Sequence, residues 1–213
     1  MSDVHTAVDP AKDDPEYAAN LRRATLASSI GSALEYFDFA LYGLSTALIF
    51  NVLFFPQDDP GMATVAAFAT FGVGFVARPF GGLFFGILGD KLGRKPALTI
   101  TLVLMGVATT LVGALPGYDT IGVWGPILLI LCRMVQGLAV GGEWGGAVLM
   151  AVEHAPRKKR GLFGASPQIG VPLGLLLASG VMALMAVIAP GQAFLDWGWR
   201  VPFLFSVVLI LVG

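Results

Sequence analysis

The chain is predicted to fold as an all-α, polytopic membrane protein: a bundle of six bilayer-crossing helices in which the sixth is truncated. Three observations predict this. Of its 213 residues, 56% are hydrophobic and only 13% charged, with a mean hydropathy of +0.79; soluble domains carry apolar content nearer half and charge nearer a quarter. The apolar residues fall in runs of the roughly 20 residues that a helix needs to cross the hydrocarbon core. Between two such runs lies Gly86-Ile87-Leu88-Gly89-Asp90-Lys91-Leu92-Gly93-Arg94-Lys95-Pro96-Ala97-Leu98, where three cations, an acid and a proline share a short gap. Lys and Arg in short loops mark the side that is not translocated, so this gap reads as a cytoplasmic hairpin.

Residues 1–23 read as a disordered cytoplasmic tail, because Asp3, Asp9, Asp13, Asp14 and Glu16 stand there with two prolines and little apolar content. A secretory signal is not expected, since the apolar stretch that follows is too long for a signal's apolar core. Residues 24–213 form the bundle. Its first span runs from about Thr25 to Phe55, the second from Met62 to Leu88 and the third from Pro96 to Leu115. A fourth extends from Val123 to Val152 and a fifth from Leu162 to Ala189; a sixth starts near Trp199 and is cut short at Gly213.

Charge sets the orientation. Lys12, Arg22, Arg23, Lys91, Arg94, Lys95 and the Arg157–Arg160 run fall on one side, whereas Arg200 alone stands outside the spans on the other. The amino terminus is therefore expected in the cytoplasm. The opposite side carries Asp58, Asp59, Asp119 and Asp196 in Pro- and Gly-containing turns, and Trp124, Trp197 and Trp199 are expected at that interface. The Arg157–Arg160 run reads as a topology signal that anionic headgroups reinforce. Cys132 has no disulfide partner in the chain and reads as a small buried side chain.

The hairpin spacing G-x-x-x-D-x-x-G-R-K-x-x-L resembles the signature loop between the second and third helices of the major facilitator superfamily of secondary transporters. The run Glu35-Tyr36-Phe37-Asp38-Phe39-Ala40-Leu41-Tyr42-Gly43 looks like the first-helix pattern of its metabolite:proton symporter branch. So do Arg133-Met134-Val135-Gln136-Gly137 with Gly141-Gly142-Glu143-Trp144-Gly145-Gly146, and Trp197-Gly198-Trp199-Arg200-Val201-Pro202-Phe203. The stretches Phe68 to Phe75 and Gly141 to Ala147 look most like shikimate transporters. The resemblance covers the chain from about Ala24 onward and implies proton-coupled uptake of a small organic acid or zwitterion by alternating access. In that family the hairpin gates access and does not bind substrate. Gly86, Asp90, Gly93 and Arg94 inherit this role, with Glu153 meeting Asp90 and Arg94 at the cytoplasmic surface as a latch.

Independently of any family, ionisable groups inside spans point to function, because each is costly in lipid and faces a partner or a water-filled cavity. Glu35 and Asp38 are three residues apart and share one face of the first helix. Arg78 falls at the depth of Glu35 at ~1.5 Å per residue, so that an ion pair is geometrically available. Arg133 and Glu143, ten residues apart on the fourth span, project in different directions. A proton-coupled carrier of anions needs a carboxyl whose ionisation responds to its surroundings, and a guanidinium fork for the substrate carboxylate. Asp38 is expected to carry the proton, with Glu35 second. Arg133 is expected to be the substrate or coupling cation, with Gln136 and Gln168 as further substrate contacts and Arg78 and Glu143 as intramembrane charge partners. The bland reading is that these charges neutralise one another and hold helices together.

Gly137, Gly141 and Gly145, with Gly142 and Gly146, repeat every four residues and give the fourth helix a smooth ridge for close packing. Gly170, Pro172 and Gly174 are expected to make the fifth helix bendable, and Arg78-Pro79 to kink the second. Gly72-Val73-Gly74-Phe75-Val76-Ala77 matches a dinucleotide fingerprint but lies inside an apolar span and is rejected. With two histidines outside the spans and no metal-spaced cluster, an enzyme, a cofactor, a metal site and a nucleic-acid partner are not expected. The partners expected are lipid, protons, the organic substrate and a missing carboxy-terminal six-helix half related by an axis along the membrane normal. The competing readings are a non-transporting truncated fragment and, within transporters, a sugar porter or drug antiporter.

Overall fold

The computed structural model describes residues 15–153 and 165–212, and every regular element among them is helical. Helix α1 (Pro15–Ser45) continues through a π-helical turn, Thr46–Phe50, into Asn51–Leu53. It is followed by α2 (Pro60–Leu92), α3 (Arg94–Ala114), α4 (Trp124–Glu153), α5 (Ser166–Ile188) and α6 (Arg200–Val212). Stretches of the first five, Ser29–Leu53, Pro60–Leu92, Pro96–Ala114, Trp124–Gly142 and Gln168–Ile188, are long and apolar enough to cross a membrane. The outward faces are apolar too, with Val187 78% and Leu176 69% exposed, a surface suited to lipid and not to water.

The expected tail differs from the structure where it is described. Pro15 opens α1, so residues 15–23 are helical; Pro is pre-organised for a first helical position, and the following Glu, Ala, Leu and Arg residues are good helix formers. Residues 1–14 and 154–164, with the Arg157–Arg160 run, lie outside the described residues.

Helix ends follow local chemistry. Asp59 caps α2 by accepting from the Gly61 and Met62 N–H groups at 2.9 and 3.1 Å, with Pro60 in the first turn. At the other end Gly93 alone separates α2 from α3. Its φ of 94° and ψ of 152° belong to a region that is essentially glycine's, and its N–H bonds the Gly89 carbonyl at 2.9 Å. Arg200 caps the carboxy end of α3 by donating to the Gly113 and Leu115 carbonyls at 2.9 and 2.6 Å.

Two glycine-based contacts organise the bundle: α1 lies along α5 and α2 along α4, while α3 sits between α4 and α6. Gly137 rests on the Gly74 carbonyl, Gly141 on that of Arg78, and Gly81 on that of Leu138. Backbones approach this closely only where side chains are absent. The surroundings of Gly145 and Gly146 lie outside the described residues. Gly170 and Gly174 do the same work on α5, facing Ser29, Ala33 and Phe37 of α1. Pro79 and Pro172 lie within helices whose assignment is unbroken.

Trp199 is a correction. Expected at the interface, it is fully buried, packed edge-on against Phe50, Phe54 and Phe203 with ring centroids 5.7–6.1 Å apart. Its indole N–H donates to the Leu195 carbonyl at 3.0 Å, which removes the polar group that would have held it at the surface. Trp124 and Trp197 are exposed.

Candidate functional site

The site grows from one face of α1. Glu35 and Asp38 are 6% and 4% exposed, and burial of a carboxyl in a bundle demands hydrogen bonds or a counter-charge. Asp38 has both. Its Oδ1 accepts from the Thr109 hydroxyl of α3 and, at 3.2 Å, from Gln136 Nε2 of α4. Thr109 has a second acceptor in reach, the Met105 carbonyl at 2.9 Å. Gln136, fully buried, also donates to Thr109 Oγ1 at 2.9 Å and accepts from Arg133 Nη1 at 3.3 Å. Arg133 and Gln136 are three residues apart on α4 and share a face. The amide is therefore a bridge: it joins the carboxylate of α1 to the guanidinium of α4.

Arg133 is 4% exposed and sits in an aromatic cage. Its Cζ lies 4.3 Å from the Tyr42 ring centroid, 4.9 Å from Phe71 and 6.0 Å from Phe39, distances at which ring faces attract a cation. Tyr42 is fixed in turn by a 3.3 Å hydrogen bond to Thr70. Among the described residues, Arg133 Nε is buried without a hydrogen-bond partner. It lies over Gly74, where a Cβ would come 2.5 Å from Nε. Gly74 thus makes room for the guanidinium while its carbonyl receives Gly137.

Arg78 holds a different place. Half-buried on α2, its Cζ is 5.0 Å from the Phe75 ring and 5.5 Å from Phe39, and it is the cation whose field acts on Glu35. Glu35, Asp38, Arg78, Arg133 and Gln136 line one recess between α1, α2 and α4, a cavity of about 10 Å³. Two acids and two guanidinium groups balance in charge, yet Asp38 and Arg133 meet through an amide instead of pairing directly. Such an arrangement keeps guanidinium donors available and lets the charge on one side be felt on the other.

The structure brings five of the sequence-selected residues together: Glu35, Asp38, Arg78, Arg133 and Gln136. Gln168 stands apart. It is exposed in the first turn of α5, off the Gly170, Gly174, Ala178, Met182 register that faces the bundle. Gly86 and Asp90 are exposed near the end of α2, and Gly93 forms the turn. The side chains of Arg94, Glu143 and Glu153 lie outside the described residues, although their backbones belong to α3 and α4. Sequence reasoning missed Thr109, Tyr42 and Phe71, and gave Gly74 no part. Thr101, Met105 and Thr109 recur every four residues and are buried; two hydroxyls on one face of an apolar helix mark that face as the inward one. Among the described residues no cluster of His, Cys, Asp or Glu could hold a metal ion.

Residues 24–213 match the family model described as sugar (and other) transporter. The chain is 54% identical over 190 residues to the shikimate transporter of Escherichia coli (strain K12), covering 89% of this chain and 43% of that protein. It is 48% identical over 193 residues to the proline/betaine transporter of the same strain, covering 91% of this chain and 38% of that protein. The chain thus spans under half the length of these curated relatives. Among solved structures, the inward-open conformation of the xylose transporter XylE from E. coli superposes with a TM-score of 0.73 at 20% identity, over 90% of this chain and 46% of that one. A double-Trp XylE mutant does so with a TM-score of 0.78 at 19% identity, over 91% and 43% respectively. This likeness is one of fold. The relatives are transporters and not enzymes, and with its buried charged site inside an apolar helical bundle the chain belongs to the sugar (and other) transporter family of the major facilitator superfamily, with the fold of the amino-terminal half of such a protein.

Proposed function

We propose that the chain is the amino-terminal six-helix half of a proton-coupled symporter that takes up a small organic acid, such as shikimate, or a related carboxylate or zwitterionic osmolyte by alternating access. It sits in the inner membrane with its amino terminus in the cytoplasm and works with a carboxy-terminal six-helix half. Asp38 carries the proton, with Glu35 as its neighbour on the same face. Arg133 engages the substrate carboxylate, and Gln136 transmits between them. The observation that carries this reading is the bridge itself: a buried carboxylate and a buried guanidinium joined through one amide.

The named cargoes of the relatives, shikimate and proline or betaine, differ in ring, charge and size but share a carboxylate. A fixed guanidinium supplies the recognition common to all of them. Loss of the proton from Asp38 places a negative charge near Arg133 and weakens its hold on an anion, which links proton and substrate release.

The test is uptake by the full-length gene product containing this chain, reconstituted in proteoliposomes with an imposed proton gradient, against a panel of shikimate, 2-oxoglutarate, betaine and xylose. Gradient-driven accumulation of a carboxylate, lowered in Arg133→Lys through a raised KM, supports the reading. Accumulation of xylose alone, or an unchanged KM for the carboxylate in Arg133→Lys, overturns it.

A further inference from the structure

Asp38 lines a second cavity, on the side away from the two guanidinium groups. It lies between α1, α3 and α6, has a volume of about 20 Å³, and is bounded by Asp38, Thr109 and Ser206 with Leu34, Leu102 and Met105. A cavity holds a water when it offers roughly 10–15 Å³ and two to four polar partners. This one meets both conditions, because the Asp38 carboxylate and the Thr109 and Ser206 hydroxyls are its polar groups. Ser206 is 4% exposed, and its hydroxyl donates a long 3.5 Å bond to the Pro202 carbonyl; a hydroxyl oxygen that donates one hydrogen bond can still accept from a water.

The ionisable groups that act on Asp38, namely Glu35 and Tyr42 on its own helix, Arg78 on α2 and Arg133 on α4, do not line this cavity. The lining runs one way along the helices. Leu34 precedes Asp38 by about one turn and Leu102 precedes Thr109 by about two, which carries the cavity ~6–10 Å toward the end of the bundle that bears the Lys91 to Lys95 hairpin.

We propose that this cavity holds a water bound to Asp38, Thr109 and Ser206, and that the water is the proton's exit from Asp38 toward the cytoplasmic end, separate from the recess at which the substrate engages Arg133. The proposal rests on Asp38 carrying the proton. In the step, the protonated carboxyl gives its proton to the water as that water passes one of its own to a second, solvent water on the hairpin side, which carries it away as hydronium. One proton crosses, the water is regenerated and Asp38 is left as the carboxylate. Ser206 is then a positioning residue, holding the water in line with the carboxyl. Asp38 lines both cavities, and Thr109, which lines only the second, bonds it from α3.

The experiment compares two readouts in the full-length transporter in proteoliposomes: gradient-driven accumulation, which needs net proton release, and substrate exchange at equal pH, which does not. Ser206→Ala removes one partner of the water, and Met105→Phe fills the cavity. Both are expected to slow accumulation at least tenfold while exchange stays within twofold of wild type. Wild-type accumulation in either variant overturns the proposal, and so does a parallel fall in exchange, which marks a structural role. Asp38→Asn separates the two levels. If it keeps accumulation, the proposed function fails; if it loses accumulation while the cavity variants keep it, the water route alone fails.

Discussion

Replacing Gln136 by Leu removes the bridge while keeping most of the side-chain volume. Gln136 makes hydrogen bonds to Thr109, Asp38 and Arg133 at 2.9, 3.2 and 3.3 Å. The bonds to Thr109 and Asp38 cross between helices, whereas that to Arg133 stays within α4; interhelical side-chain hydrogen bonds in membranes average ~0.6 kcal/mol, so losing these two costs the fold roughly 1 kcal/mol, and the protein should still assemble. Function should suffer more selectively. A bond to an ionised group is worth ~1.5–3 kcal/mol; at these long distances the lower figure applies, and about 1.5 kcal/mol of linkage between Asp38 and Arg133 is close to a factor of ten. The assay is the KM for the transported carboxylate as a function of pH in proteoliposomes, with thermal unfolding in detergent as the control for folding. Wild type should show a KM that rises as Asp38 loses its proton, and Gln136→Leu should flatten that dependence roughly tenfold. A folded variant with the wild-type pH dependence of KM refutes the reasoning, because it would show that carboxylate and guanidinium communicate without the amide.

Two further substitutions test the scaffold. Gly141→Leu drives a side chain into the Arg78 carbonyl across the α2–α4 contact; overpacking of this kind costs ~1–3 kcal/mol and should lower the midpoint of thermal unfolding, whereas the same change at Gly72, which has open space around it, should not. Gly93→Ala forces an L-residue to a φ of 94° and ψ of 152° in the one-residue turn between α2 and α3, a strain of ~1–3 kcal/mol. Its signature is a lower unfolding midpoint with substrate KM unchanged, since the turn is remote from Arg133.

Much of the architecture was legible because membrane spans obey one solvent rule. An apolar run of sufficient length is a helix, and a short basic gap is a turn, which is why the hairpin through Gly93, the limits of the second to fourth spans and the end of the fifth were found to within a few residues; the expected start of the fifth, Leu162, lies outside the described residues. Intramembrane charge was the other clear signal: Glu35, Asp38, Arg78 and Arg133 stood out by their cost in lipid, and they do converge. What the sequence could not show was rotation about each helix axis. Gln168 and Gln136 are alike as residues in apolar helices, but α5 turns its glycine face inward and leaves Gln168 exposed, whereas α4 turns Gln136 into the bundle. Trp199 misled for a related reason. A tryptophan near a span's end is usually interfacial, but here Leu195 satisfies its N–H and three aromatic rings enclose it. Thr109 was hidden because a threonine in a membrane helix costs little: its spacing from Thr101 marks a face of α3, but nothing in the sequence names Asp38 as its partner.

The pattern of glycines has a similar lesson. Gly72 and Gly74 appear together in a string that mimics a nucleotide-binding fingerprint, and only the structure separates them: Gly72 has nothing near it, while Gly74 receives α4 and clears the space that Arg133 Nε occupies. The same helix contact that holds α2 to α4 therefore positions the guanidinium. Packing and site are not separable there, and a change at the α2–α4 contact is expected to reach the substrate.

The central claim, that Asp38 is the proton carrier of this half, is tested most directly by Asp38→Asn in the full-length transporter, measured for substrate exchange at equal pH and for accumulation driven by a proton gradient. The amide keeps the side chain's shape and can still accept from Thr109 and Gln136, so exchange should persist while gradient-driven accumulation is lost. Accumulation at the wild-type level in that variant would contradict the account.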